Sequence, residues 1–146
     1  MGRAELTTSV IDVNKHLKEI TASSKNIGGI VCFIGVIRSV NDNKRVVKLS
    51  YDYYPELADS QLKRLREEAI KNFRLIDAII IHRVGDVPIG EVSLLVITAG
   101  EHRDEPFKAA RWLVDKIKNE VAIWKKEVYE DGSRWVYETI TGDLHE

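Results

Sequence analysis

Two apolar segments, residues 77–84 and 91–99, constrain the fold more than any other feature of this sequence. Both are short and rich in β-branched residues, so each predicts a strand. Only a short loop with two glycines and a proline separates them. Such a loop joins antiparallel strands, because parallel strands need a long crossover connection. We therefore expect a sheet of strands joined by hairpins.

Helical periodicity appears in two long segments. Apolar residues recur every three or four positions in residues 57–73 and 107–121, with charged residues on the other side. A shorter helix is predicted from Val13 onwards, with Asp12 placed to cap it. Two or three packing helices among hairpin-joined strands predict the α+β class, not a doubly wound parallel sheet.

The remaining strands are predicted from short β-branched or alternating segments, at residues 6–11, 30–38, 46–53, 123–130 and 133–138. The strands at 30–38 and 46–53 are expected to form a hairpin through a turn at Asn41, Asp42 and Asn43. Asp131 and Gly132 form a dipeptide typical of a type I′ hairpin turn, so the last two strands should pair as well.

Length and composition narrow the class of protein. At 146 residues the chain is expected to be a single domain, with residues 139–146 as a C-terminal tail. The 22 basic and 23 acidic residues nearly cancel, which argues against a nucleic-acid binder. No apolar run approaches the roughly 20 residues of a spanning helix. The lone Cys32 lies in an apolar segment and is expected to be a buried thiol, so nothing suggests an oxidising compartment. We expect a cytoplasmic protein.

Three lysines, Lys118, Lys125 and Lys126, flank the point where the second long helix should end and a strand begin. Apolar neighbours such as Ile123 and Trp124 would keep them near the core. A partly desolvated lysine has a lowered pKa and can act as proton donor, nucleophile or phosphate clamp. The alternative is a solvated boundary, since most lysines are exposed.

Other cationic residues also stand at ends of predicted elements. His102 and Arg103 precede a helix, whose N-terminal end favours an anion. Arg38 ends a predicted strand and is equally compatible with a plain surface position. For His82 and Arg83 we favour a structural pair, satisfied by backbone or carboxylates. Four histidines without close ligand spacing, and one cysteine, predict no metal site.

Six ordered blocks of the sequence resemble one known family. They are FIGVIR at 33–38, YYP at 53–55, IHRVG at 81–85, HR at 102–103 followed by Phe107, IWKKE at 123–127 with Lys118 before it, and DG at 131–132 followed by Trp135 and Val136. Over about residues 5–138 the chain resembles the large, catalytic subunit of molybdopterin synthase, the MoaE family. This resemblance implies an α/β-hammerhead fold, which is compatible with the α+β class.

The resemblance also implies an activity and its partners. Members of the family are sulfurtransferases that convert cyclic pyranopterin monophosphate into molybdopterin by installing two sulfurs as a dithiolene. The sulfur arrives as a thiocarboxylate on the Gly-Gly tail of a small ubiquitin-like subunit. Two large subunits form a central homodimer with one small subunit at each end. No cofactor, nucleic acid or membrane is implied.

By resemblance, Lys118 and Lys125 correspond to the catalytic lysines. The residues that correspond to substrate binding are Phe33, Val36, Ile37, Arg38, His102, Arg103, Lys126 and Glu127. Arg103 and Lys118 are 15 residues apart on one predicted helix, which separates their Cα atoms by roughly 22 Å. If both groups act on the same substrate, either the helix is broken or one of them comes from a second copy of the chain. We expect the second arrangement, in which each pocket combines Lys118 and Lys125 of one protomer with His102 and Arg103 of its twin.

A second interpretation, from a different class, is a binding module that captures a Gly-Gly tail without chemistry. It would use the same cationic groove as a receptor for the tail's carboxylate. Turnover of the pterin substrate separates the two, since a pure binder would hold the partner and release no product.

Overall fold

The computed structural model describes residues 2–41, 44–132 and 134–137, which form three helices and nine strands. The helices are α1 (Val13–Ala22), α2 (Pro55–Phe73) and α3 (Asp104–Glu120). The strands are β1 (Ala4–Thr7), β2 (Gly29–Val36), β3 (Val40–Asn41), β4 (Lys44–Tyr53), β5 (Asp77–Arg83), β6 (Gly85–Pro88), β7 (Val92–Gly100), β8 (Ile123–Tyr129) and β9 (Arg134–Tyr137). None of these helices has the length and apolar character needed to cross a membrane.

The strands are divided between two sheets. The first has the order β1-β5-β7-β2, with β1 parallel to β5 and the other pairs antiparallel. The second has the order β3-β4-β8-β9, and β6 also pairs with β4. Every pair in the second sheet is antiparallel. The predicted α+β class with mostly antiparallel strands is confirmed.

Two hydrophobic cores lie on opposite faces of the first sheet. The main core joins α2 and α3 to this sheet and to the inner face of the second, with Leu62, Leu113 and Leu49 among its members. The smaller core lies under α1, where Ile20 packs with Ile79. The apolar residues of α2 and α3 therefore hold the two sheets together through the main core.

The start of α1 agrees with its sequence signal. Asp12 is the N-cap, and its Oδ1 accepts a hydrogen bond from Lys15 N–H at 3.2 Å. The first strand is β1 at Ala4–Thr7, earlier than the predicted 6–11. The predicted pairing of segments 77–84 and 91–99 is confirmed, since β5 and β7 are antiparallel neighbours. The loop between them contains β6, which the sequence analysis did not predict.

The predicted hairpin between residues 30–38 and 46–53 is wrong. Strand β2 pairs with β7 in the first sheet, whereas β4 pairs with β6 and β8 in the second. A register shift between Gly35 and Val36 marks the end of β2, after which the chain crosses from one sheet to the other. A smaller hairpin joins β3 and β4, and Asp42 and Asn43 of its predicted turn lie outside the described residues.

The predicted hairpin of the last two strands is confirmed, because β8 and β9 pair antiparallel. Its turn is not the predicted type I′, which needs a positive φ at both central residues. Gly132 has a φ of 85°, but Asp131 has no positive φ. Gly132 N–H instead donates to Tyr129 O at 3.0 Å, closing a four-residue turn. The predicted tail, 139–146, lies outside the described residues.

Candidate active site

The corner between α3 and β8 carries the two lysines singled out from the sequence. Lys118 lies in the last turn of α3, and Lys125 is the third residue of β8. Gln61 on α2 braces this corner with both ends of its amide. Its Nε2 donates to Glu120 O at 3.1 Å, and its Oε1 accepts from Ala122 N–H at 2.8 Å. The connection between the lysines is therefore fixed from outside as well as by its own backbone.

Strand alternation decides which lysine faces inwards. Lys125 is paired with the buried Tyr51 of β4, so both side chains lie on the same face of the second sheet. Lys126 points to the opposite face, where it is paired with Ser50 and its charge acts on Asp86. Lys126 is thus separated by the sheet from Lys125, and its predicted contact with the same ligand stays a prediction.

The pKa values of both inward lysines are lowered, chiefly by burial. Burial lowers the pKa of Lys118, and Arg38 lowers it further, while Asp115 acts in the opposite direction. For Lys125, burial, Lys118 and Arg38 together lower the pKa to about 8, against the opposing charge of Glu127. Three cations therefore gather close enough to influence one another. The solvated-boundary alternative does not hold for the half-buried Lys118 and Lys125.

Glu127 lies on the same face of β8 as Lys125, two residues further on, and is only 7% exposed. Tyr129, another two residues on, donates its hydroxyl hydrogen bond to Glu127 Oε1 at 2.9 Å. This contact fixes a carboxylate close to the half-buried ammonium group of Lys125, which favours its charged form. Tyr129 was not among the predicted site residues, although the alternation along β8 places it on this face.

The four predicted residues near β2 differ in exposure. Phe33 packs against the main core, and Val36, at the end of the strand, is 49% exposed. Ile37 is 5% exposed and belongs to the main core, so its side chain supports the segment and does not face solvent. Arg38 follows it on the exposed crossing between the sheets, within electrostatic reach of both inward lysines.

His102 and Arg103 lie at the other end of α3. Arg103 is the residue that precedes its first turn, and both side chains are exposed. Gly28 approaches this corner closely: its N–H donates to Gly100 O at 2.9 Å, and a Cβ at this position would clash with Glu101 O. Asp104 and Glu105 in the first turn of α3 offset part of the helix's attraction for an anion. Within one chain, the structure does not bring these two residues to the lysines.

The expected structural pairing of His82 and Arg83 is found. His82 Nδ1 lies 2.7 Å from Arg83 O, so this nitrogen carries the donated proton. Arg83 Nη1 forms an ion pair with Glu91 Oε1 at 2.6 Å. The His82 ring packs edge-to-face on Tyr51, with 5.0 Å between ring centroids, and Tyr51 is the cross-strand neighbour of Lys125. Burial, with Lys125 adding to it, lowers the pKa of His82 to about 4, and burial raises that of Tyr51 to about 12.

We expect His82 to make the protein labile to acid. Its pKa falls from the ordinary 6.5 to about 4 on folding, so between these values the unfolded chain binds a proton that the native chain excludes. The stability that depends on this group is complete above pH 6.5, and about 3 kcal/mol of it is lost as pH falls to 4. Denaturant unfolding of wild type and His82→Asn across this window would measure the difference in slope.

Burial also lowers the pKa of His16, so this residue should add the same pH dependence of stability to wild type and to His82→Asn. Identical pH dependence in wild type and His82→Asn would show that His82 is not the titrating group.

Among the described residues, no cluster of three or more His, Cys, Asp and Glu is arranged to hold a metal ion.

Residues 6–120 match the model of the family described as MoaE protein. The chain belongs to the MoaE family. It is 38% identical over 147 residues to the molybdopterin synthase catalytic subunit of Pyrococcus abyssi (strain GE5 / Orsay), covering 99% of this chain and 97% of that protein. Identity to the catalytic subunit of Bacillus subtilis (strain 168) is 32% over 136 residues, covering 93% and 85%.

Two solved structures agree with this assignment. Molybdopterin synthase from Staphylococcus aureus superposes with a TM-score of 0.86 at 26% identity, over 94% of this chain and 98% of that one. A complex of subunits 1 and 2 of molybdopterin-converting factor from Helicobacter pylori 26695 gives 0.73 at 26% identity, over 90% and 87%. The family and fold expected from the resemblance are confirmed, and with them an enzymatic role in molybdopterin biosynthesis.

Proposed function

We propose that this MoaE-family chain is the sulfur-transferring subunit that converts cyclic pyranopterin monophosphate into molybdopterin, and that it acts in the cytoplasm. Its sulfur donor would be the thiocarboxylated Gly-Gly tail of a small ubiquitin-like subunit. In each of two transfers the thiocarboxylate sulfur would form a bond to a substrate carbon while a C–O bond at that carbon breaks. Water would then cleave the acyl–sulfur bond, which returns the tail as a carboxylate and leaves the sulfur on the substrate. A complex of two converting-factor subunits in a relative supports a small-subunit partner for this chain.

The observation that carries this proposal is the pair of half-buried lysines at the α3–β8 corner. Lys118 and Lys125 have lowered pKa values, and Arg38 adds a third positive charge. The donor tail and the phosphorylated pterin are both anionic, so each gains from fixed positive charge in a partly desolvated site. A bound anion would in turn favour the protonated form of Lys125.

The two lysines suit different tasks. The pKa of Lys125 is about 8, close to working pH, which is the condition for a proton donor to a departing oxygen. Lys118 is placed to hold negative charge on the tail or the substrate while Lys125 transfers its proton. Glu127, held by Tyr129, keeps enough Lys125 protonated for this purpose.

We further infer that each pocket is shared between two copies of the chain. Helix α3 is continuous from Asp104 to Glu120, so Arg103 and Lys118 lie roughly 22 Å apart. A partner protomer's His102 and Arg103 would supply the cations for the phosphate and pterin. Phe107, one turn after Arg103, is 62% exposed and offers apolar surface for such an interface.

A single-turnover assay tests the activity directly. Purified chain, cyclic pyranopterin monophosphate and a thiocarboxylated small subunit should yield dithiolene product. The same small subunit with an ordinary carboxylate tail is the control and should yield none. Tight binding of the tail without product would instead favour the non-catalytic binding module.

The pH dependence of this reaction tests the role given to Lys125. Because its pKa is about 8, the fraction of protonated Lys125 falls as pH rises through that value. A proton donor works only when protonated, so we expect the single-turnover rate to decline above pH 8. Lys125→Arg stays charged and should lose this decline, at a lower overall rate. A rate that rises through pH 8 would indicate that the free amine acts, as a nucleophile.

A further inference from the structure

The segment that carries Arg38 is held by backbone contacts from the turn between β6 and β7. Ile37 N–H donates to Glu91 O at 3.2 Å, and Ile37 O accepts from Gly90 N–H at 3.0 Å. Both polar groups of one residue are thus tied to two consecutive residues of the turn. Gly90 has a φ of +83°, a conformation that few other residues adopt. The position of Arg38 therefore depends on where this turn lies.

The turn is fixed in its place by an ion pair. Glu91 Oε1 contacts Arg83 Nη1 at 2.6 Å, and Arg83 is 8% exposed at the end of β5. Arg83 Nε is buried without a hydrogen-bond partner in the part of the chain that the structure describes. A buried guanidinium group needs a counter-charge, so the carboxylate of Glu91 is strongly drawn to this position.

We propose that Arg83 and Glu91 are positioning residues that hold Arg38 within electrostatic reach of Lys118 and Lys125. The connection runs from Arg83 to the Glu91 carboxylate, from the Glu91 carbonyl to Ile37, and along the chain to Arg38. This inference rests on the proposed function, in which Arg38 binds the anionic substrate. It gives the strand-end Arg83, which the proposed chemistry leaves unused, a role in substrate affinity.

Glu91→Gln tests this role, because it removes the charge and keeps the length of the side chain. We expect the KM for cyclic pyranopterin monophosphate to rise by about threefold to tenfold with little change in kcat. The matched control is Glu19→Gln. Glu19 forms an ion pair of equal length, 2.6 Å, with Arg3, on the side of the molecule covered by α1. The Glu19→Gln variant should lose about as much unfolding free energy as Glu91→Gln and keep the wild-type KM.

A double-mutant cycle separates positioning from general destabilisation. If Glu91 acts through Arg38, Glu91→Gln should raise KM no further in an Arg38→Ala background, although it still lowers stability there. If the KM of the double variant rose by the product of the two single effects, the inference would be overturned. An unchanged KM in either single variant would also overturn it. Absence of turnover in the wild type would overturn the proposed function itself. Glu91 would still be a positioning residue for an anion site if an added anion raised the unfolding free energy of the wild type but not that of Glu91→Gln.

Discussion

Lys118→Ala is expected to reduce the single-turnover rate of dithiolene formation by about 10²–10³-fold. Lys118 supplies fixed positive charge in a partly desolvated site, where water cannot replace it once the substrate is bound. Alanine is the best helix former, so α3 should persist and the protein should stay folded. Loss of Lys118 also removes a like charge that lowers the pKa of Lys125. The decline in any residual rate should therefore move to higher pH.

Lys116→Ala is the matched control for this variant. Lys116 lies two residues away on the same helix and pairs with Glu120 at 2.7 Å on the surface. Its replacement should leave the rate unchanged. Equal rates for Lys118→Ala and wild type would retain the family assignment but make Lys118 a bystander.

Mixing two inactive variants should restore activity if each pocket is shared between protomers. Lys118→Ala removes one half of the pocket and Arg103→Ala the other, so a hybrid dimer contains one intact pocket and one with both defects. After random exchange of subunits, about one quarter of all pockets should be intact. The single-turnover amplitude of the mixture, compared with each variant alone, measures this recovery.

A mixture of Lys118→Ala and Lys125→Ala is the control for this experiment. Both changes affect the half of the pocket contributed by one chain, so every pocket in the hybrid is defective and no recovery should occur. Failure of the Lys118→Ala and Arg103→Ala mixture after verified exchange would contradict the shared pocket. Recovery in the control mixture would contradict the assignment of both lysines to the same half.

The local part of the site was predictable from the sequence. Apolar spacing places Lys118 near the end of α3, and alternation along β8 places Lys125 on the inner face. The unbroken helix also follows from this spacing, and with it the distance between Arg103 and Lys118. Each of these conclusions depends only on residues close together in the chain, where helix and strand periods determine which side chains share a face.

The parts that the sequence analysis missed depend on contacts between distant segments. The hairpin of 30–38 with 46–53 was a plausible local pairing, but β2 and β4 belong to different sheets. Gln61 is also unremarkable in sequence, because its partners lie about 60 positions further on. The contact of His82 with Tyr51 likewise joins two sheets, and only their relative placement brings the rings together.

The origin of the three gathered cations limits how this site can be transferred to another protein. Arg38 comes from the crossing between the sheets, Lys118 from the end of α3 and Lys125 from the second sheet. A grafted loop or helix would carry one of these charges and leave the others behind. The smallest portable form of this cation cluster is both sheets with their packed helices. New specificity is therefore better sought by changing side chains around the corner than by moving the corner to a new scaffold.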